Sequence, residues 1–554
     1  MADGLLNKAS IILTPTGYKA GTLYNVAPVV EPYEDFDFAR ASVASRVNSS
    51  GLVEMVGRTL GSELVTNGDF DTDSDWEKQT NWTIANGSAN SNGTGLLYQT
   101  SVSYVDGKTY KVTFDASITS GGGTVRLGNT TPSTAFTNGS NIFYLQTDAS
   151  NTTRYIFFQG NSFVGSIDNV SVKEVIDTNN IPRISYDSNG DNGHILLEPT
   201  STNLVPYSED FSQWAGLVAL SIGLNQGISP NGSIEANLLS IGIDSSSTRH
   251  RLYNLFNFVS GDTYTYSIFA KKNENDWFQL MFSTSAFDAE SYANFDLNNG
   301  VVGNEGTSTT ADIIDYGNGW YRCSITCTAS ASVTTTYEVL TTNNTNSGRY
   351  PSYQSSAAVN VCFLWGAQLE ELPYATSYIP TLTGSQETRA TETATGAGSA
   401  ELINSTEGVL YAEIAMLSED DKASSNQIAI SDGTTNNRVL IFCNVDGDIL
   451  VQIKDTTETP SQAVLTALDQ SQGGVDTAAF NKIAILYKSG QNKLFVNGSQ
   501  ITNSAFNNFV FDYSSLDNLE FGSGSNSNYF RGKVKALAVF NEALSDDELN
   551  NLTG

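Results

Sequence analysis

The sequence predicts an all-β protein made of tandem β-sandwiches, and three observations carry that expectation. Across 554 residues there are 47 Gly, 25 Tyr and 27 Phe against 4 Met. Thr, Tyr, Phe and Val suit a half-buried pleated surface, while Asn and Gly supply the turns between short strands. Apolar and polar residues alternate with period two in segment after segment. Finally, two stretches begin and end alike, as duplicated sandwiches would.

The length exceeds what one hydrophobic core organises and implies several domains. The first repeat opens with ELVTNGDFDTDSDW (Glu63 to Trp76) and the second with NLVPYSEDFSQW (Asn203 to Trp214). In mid-copy, DGKTYKVTFDAS aligns with SGDTYTYSIFAK, each a Gly turn leading into alternation. Tyr110, Val112 and Phe114 share one face in the first copy; Tyr264, Tyr266 and Ile268 do so in the second. The copies close on GSIDNVSVKEV and FLWGAQLEEL. The second adds DWFQLMF and GWYRCSITC, whose alternation assigns Phe278, Leu280, Phe282, Tyr321, Cys323, Ile325 and Cys327 to buried faces. Trp76 and Trp214 recur at one place in both copies and are assigned to the cores.

The predicted layout follows. Residues 1–61 are an N-terminal attachment arm and the first half of a split unit. Residues 62–176 form a first sandwich inserted at an exposed loop, 177–202 the second half of the split unit, and 203–380 the second sandwich. Residues 381–400, rich in Thr, Gly and Ala, read as a linker, and 401–554 as a third domain. There NKIAILYKSGQNKLFVNGSQI gives two alternating strands joined at SGQN and a second tight turn at Asn497-Gly498. Ser545 and Glu548 form a capping box for a terminal helix.

The formal charge of −31 argues against a nucleic-acid partner, which requires a basic stripe. No apolar run has the length of a membrane span, and MADGLLNKAS has no signal-like core, so synthesis in a cytoplasm is expected. Cys323 and Cys327, four apart on a strand, lie about 13 Å from each other, too far for a disulfide. Cys362 or Cys443 could pair with either, but free buried thiols are expected.

Catalysis finds little support, and no catalytic residues are assigned. The E-x-D-x-x-E strand motif of lectin-fold hydrolases is absent, and His194 and His250 are the only histidines and lie outside any nucleophile-elbow context. No Cys/His spacing suggests zinc. For glycan binding, which stacks a sugar on an aromatic face, the candidates are Trp82, Tyr98, Trp277 and Trp320. Packing against a neighbouring domain is the competing role for Trp277 and Trp320.

The closing strand and turn in LEFGSGSNSNYFRGKVKALAVFNEALSDDEL make residues 401–554 resemble a laminin-G or concanavalin-A-like lectin domain. The two earlier sandwiches resemble carbohydrate-binding modules of the galactose-binding-like jelly-roll type. FARASVASRVNSSGLVE, NIPRISY…LLEPTSTNLVPYSEDFSQW and YGNGWYRCSIT are similar to modular structural proteins of tailed phages, including fibre and head-decoration proteins. That resemblance implies a virion location, other virion proteins and cell-surface glycans as partners, and a homo-oligomer, a trimer if the protein is a fibre. By resemblance to jelly-roll modules, a structural Ca²⁺ would sit between Asp71 and Asp168. Asp210 and Glu370, and then Asp432, are weaker candidates.

Overall fold

The computed structural model describes residues 4–27, 34–100, 102–128, 134–147, 154–420, 426–472 and 476–554. About half of the chain is strand and only 4% helix, so the all-β expectation holds. Cys323, Cys327, Cys362 and Cys443 are all buried, and none is in a disulfide.

The first sandwich is a single eight-stranded sheet folded over on itself. Its two longest strands, Thr109–Leu127 and Ile156–Asp177, pair along their length and pass from one layer to the other. The bend needs glycine. Gly121 has φ +71°, and a Cβ there would lie 1.9 Å from the carbonyl oxygen of Ser162. Tyr110, Val112 and Phe114 all enter the core, with Trp76, Phe158 and Phe163.

The second sandwich stacks two six-stranded sheets. Its core takes Tyr264, Tyr266 and Ile268 from one sheet and Phe278, Leu280 and Phe282 from the other. The copies match in atomic detail. The Tyr110 hydroxyl accepts from Val105 N at 2.7 Å, and the Tyr264 hydroxyl from Val259 N at 3.1 Å. The indole of Trp76 donates to Asn67 O and that of Trp214 to Tyr207 O, and both acceptor residues have positive φ.

The third sandwich departs from the predicted layout. Its five-stranded sheet is formed by Gln427–Ser431, Asn437–Cys443, Ile449–Asp455, Gln462–Leu468 and Asn518–Glu520. Its eight-stranded sheet draws on the whole chain. One edge of strand Gly532–Phe540 pairs with Glu407–Ala415. The other edge pairs with Ala9–Leu13 over one half and His194–Leu197 over the other. The attachment arm is thus corrected: the ASIIL segment is wholly buried because an unpaired apolar edge would otherwise face water. Its outer face is covered by the helix Asp546–Thr553, which has the predicted capping box.

The linker is corrected as well. Glu387–Arg389 pairs with Ser201–Asn203, and Thr393–Thr395 pairs with Phe36–Ala39. These segments converge on buried charges that cannot remain unpaired. Glu392 accepts from Arg40 at 2.6 Å and from Arg183 at 2.9 Å, while Glu198 meets Arg183 at 2.8 Å and Arg389 at 3.1 Å. Ser377 completes the Glu198 shell through its N–H and hydroxyl. All five charged side chains are essentially inaccessible to water.

Candidate inter-sandwich cavity

A cavity of about 330 Å³ opens where the first sandwich meets the second. Strand Gly139–Gln146 provides one wall. Its alternation sends Phe143 into the core and turns Ile142 and Tyr144 outward. The opposite wall comes from strand Ile234–Ile241, which places Glu235 and Asn237 on one face. The opening segment of the second copy supplies Tyr207, Glu209, Asp210 and Gln213. A bulge in strand Ser221–Ile228, with Asn225 at positive φ, extends Leu224 and Asn225 into the same space.

Few polar contacts join the sandwiches here. Lys111 Nζ reaches across to Glu235 Oε1 at 2.9 Å, passing 5.6 Å from the centre of the Tyr144 ring. Asn225 donates to Ser140 O at 3.3 Å. Glu235 also accepts from Asn231 at 2.7 Å. Glu209 accepts the Tyr378 hydroxyl at 3.0 Å. Its carboxyl is raised well above the usual carboxylate range, first by burial and then by the charge of Glu235. The same burial and carboxylates push the Tyr144 phenol up. Glu209 is thereby favoured as a neutral acid, able to donate as well as accept.

Asn237 gives its amide hydrogen to Glu209 O at 2.7 Å, while its buried Oδ1 has no partner. An unsatisfied buried acceptor is costly, and a ligand hydroxyl is the kind of donor that would satisfy it. The cavity therefore combines aromatic rings, amides from Gln213, Asn225 and Asn237, and a protonated carboxyl. That chemistry suits a small polyhydroxylated molecule, and the volume falls in the range of small-ligand sites.

The residues singled out in the sequence are placed elsewhere, Asp210 excepted. Trp82 is a correction: its ring is 4% exposed and packs on Phe163 at 5.7 Å, leaving no free face for a sugar. Trp320 is another: it is 2% exposed, donates to Ile228 O, and packs with Val53. Trp277 is half-buried, on a strand position facing Asp296. Tyr98 is half-buried in an outer-face row with Phe157 and Arg126, beside Tyr155.

Asp71 and Asp168 do share a neighbourhood. The Asp168 carboxyl is raised by burial and then by Asp115, Asp69 and Asp71. Asp168 already accepts from Asn169 N, and Asp115 from the Asn169 amide. Among the described residues no group of three or more carboxylates, imidazoles or thiolates is placed to hold a metal ion. Asp210 caps the turn Phe211–Gln213. Glu370 is buried and accepts from Ser201 and Thr376. Asp432 closes its own loop through Thr434 and Asn437. Among the histidines, His194 is buried, bonded to Asn192 O and lowered to about 4 by desolvation. His250 is fully buried against Asp244.

Sequence reading missed Tyr144, Glu209, Glu235 and Asn237 because each gains meaning only from the opposing sandwich. Glu209, next to Asp210 in the repeat's acidic step, was the nearest available signal.

The family comparison agrees with the fold of the third sandwich. Residues 416–550 match the concanavalin A-like lectin/glucanases superfamily. No curated protein sequence matches the chain. Among solved structures, the CBM40 of the Ruminococcus gnavus IT-sialidase is similar at 19% identity, covering 29% of this chain and 94% of its own, with a TM-score of 0.22. The CBM22-1–CBM22-2 tandem domain from Paenibacillus barcinonensis Xyn10C is 10% identical, over 56% and 98%, with a TM-score of 0.18. Trypanosoma rangeli sialidase is 10% identical, over 93% and 98%, with a TM-score of 0.23. The lectin-fold match thus falls within the third sandwich, whose large sheet also takes strands from residues 9–13 and 184–197.

Proposed function

We propose that the chain is a non-enzymatic adhesion protein of a bacteriophage particle, a fibre, spike or head decoration whose sandwiches bind cell-surface glycans. The observation that carries glycan binding is the inter-sandwich cavity, where Tyr144, Gln213, Asn237 and Glu209 converge. Support for the virion setting comes from the sequence resemblance. The segments that carry it, around Arg40, Arg183 and Glu198, are those that build the buried charge network. Several weak sites on an oligomer would gain by avidity.

A glycan array probed with the full-length chain tests this reading. Binding to neutral oligosaccharides is expected, weakened about tenfold or more by Gln213→Ala, which removes one amide without entering the core. Binding by no glycan would leave a purely architectural virion protein. Turnover of purified polysaccharide, abolished by Glu209→Gln, would replace adhesion by hydrolysis.

A further inference from the structure

On the second sandwich, the sheet opposite the one that supplies the cavity's strands carries a different chemistry on its outer face. The strands Arg251–Phe258, Val333–Thr341, Trp277–Phe282 and Tyr292–Asp296 lie side by side there. Gln279 and Asn294 occupy the middle of that face and are fully buried. Both are spent on holding one loop. Gln279 donates to Gly348 O at 3.1 Å and accepts from Tyr350 N at 2.8 Å; Asn294 donates to Ser347 O at 2.6 Å and Thr345 O at 3.1 Å. The loop ends in Tyr350 at φ +59°, a conformation unfavourable for a bulky residue and retained only where the surroundings impose it.

What the loop presents is a tyrosine ringed by arginines. The guanidinium of exposed Arg249 lies 4.1 Å from the Tyr350 ring centre, that of Arg251 5.6 Å and that of Arg349 6.0 Å. Arg251 also lies 4.6 Å from the ring centre of Tyr253. Countercharge is scarce. Glu338 is held by Arg251 Nη1 at 3.1 Å, and Asp288 and Glu290 act on Arg349 only at longer range. Arg349 donates to Phe282 O at 2.6 Å, but its buried Nε has no partner. In a chain of net charge −31, three arginines sharing one bonded carboxylate form a local deficit of anions.

We propose that this face is a second glycan site, specific for carboxylate-bearing sugars. The arginines receive the carboxylate, whose planar geometry guanidinium matches, and the tyrosines pack against the ring. The inference rests on the adhesion reading and names a ligand class for which the cavity, with no arginine or lysine in its lining, offers no matching cation.

Titration calorimetry on the full-length chain tests it. The probes are oligosaccharides containing glucuronate, galacturonate or a nonulosonate, each beside its carboxyl-reduced counterpart. At least one acidic probe is expected to bind, more weakly as salt rises, and its neutral counterpart at least tenfold less tightly. Arg249→Ala, an exposed change, should weaken the acidic probe about tenfold or more while leaving neutral-glycan binding at the cavity unchanged. Gln213→Ala should do the reverse. Equal binding of acidic and reduced probes, wild-type affinity in both Arg249→Ala and Arg249→Ala/Arg349→Ala, or no binding of any acidic probe would overturn the proposal. None of those results bears on neutral-glycan binding at the cavity.

Discussion

At the scale of single residues, the buried charges explain why the segments around Arg40, Arg183, Glu198 and Glu392 hold together. Glu198 has lost its water, which by itself raises a carboxyl, yet Arg389 and Arg183 hold it down at about 2. A depressed carboxyl contributes stability that is fully present above its unfolded value near 4.5 and disappears as the pH falls through the folded value. Acid unfolding followed by circular dichroism should therefore steepen between about pH 4.5 and 2. Glu392→Gln leaves Arg40 and Arg183 facing a neutral amide in a dry interior. A loss of about 3–5 kcal/mol is expected by chemical denaturation. The pairing of these charges was not legible in the sequence. Arg40 and Glu392 are 352 residues apart, and separation on that scale leaves no local pattern to read.

At the scale of elements, alternation was legible and closure was not. Tyr110, Val112, Phe114, Cys323 and Ile325 could be assigned to buried faces because period two is imposed by the pleat itself. The bend in the first sandwich was hidden, since GGG reads equally well as a loose turn. Gly121→Ala should cost more than about 1 kcal/mol, seen as a lower melting temperature of the first sandwich. The large sheet of the third sandwich was less legible still. ASIIL has the composition of a buried strand, yet nothing near it identifies Gly532–Phe540 as its partner. Ile11→Asp places an unpaired charge in that core. It should destabilise the third sandwich by more than about 3 kcal/mol and remove hydrogen-exchange protection from residues 537–540. The outcome to compare is a substitution at exposed Leu255, which should leave that protection untouched.

At the scale of the whole molecule, the contact between the first and second sandwiches is set for pH dependence. The sign follows from Glu209, an acid whose folded pKa lies above its unfolded one. Its contribution is fully present below the ordinary carboxylate value and is lost as pH rises through the raised one. Small-angle scattering should show the two sandwiches separating or loosening on the alkaline side of neutrality. Glu209→Gln, which cannot ionise, should remove that dependence; an unchanged pH response in the variant would assign it to another group. This site was the least legible feature of all. Its polar residues belong to two sandwiches, and each looks ordinary within its own repeat.

The pairing of residues 9–13 with 537–540 also imposes an order in time. The first and second sandwiches possess cores of their own and can form as they leave the ribosome. The host sheet cannot close until its last long strand has been made. At roughly 5–20 residues per second, ASIIL waits from half a minute to two minutes as a bare apolar edge. During that interval it is a template for pairing with other nascent chains. Yield in the producing cell should therefore depend on chaperone occupancy of the first dozen residues. A chain ending before residue 532 would release two well-formed sandwiches tethered to an open, adhesive third.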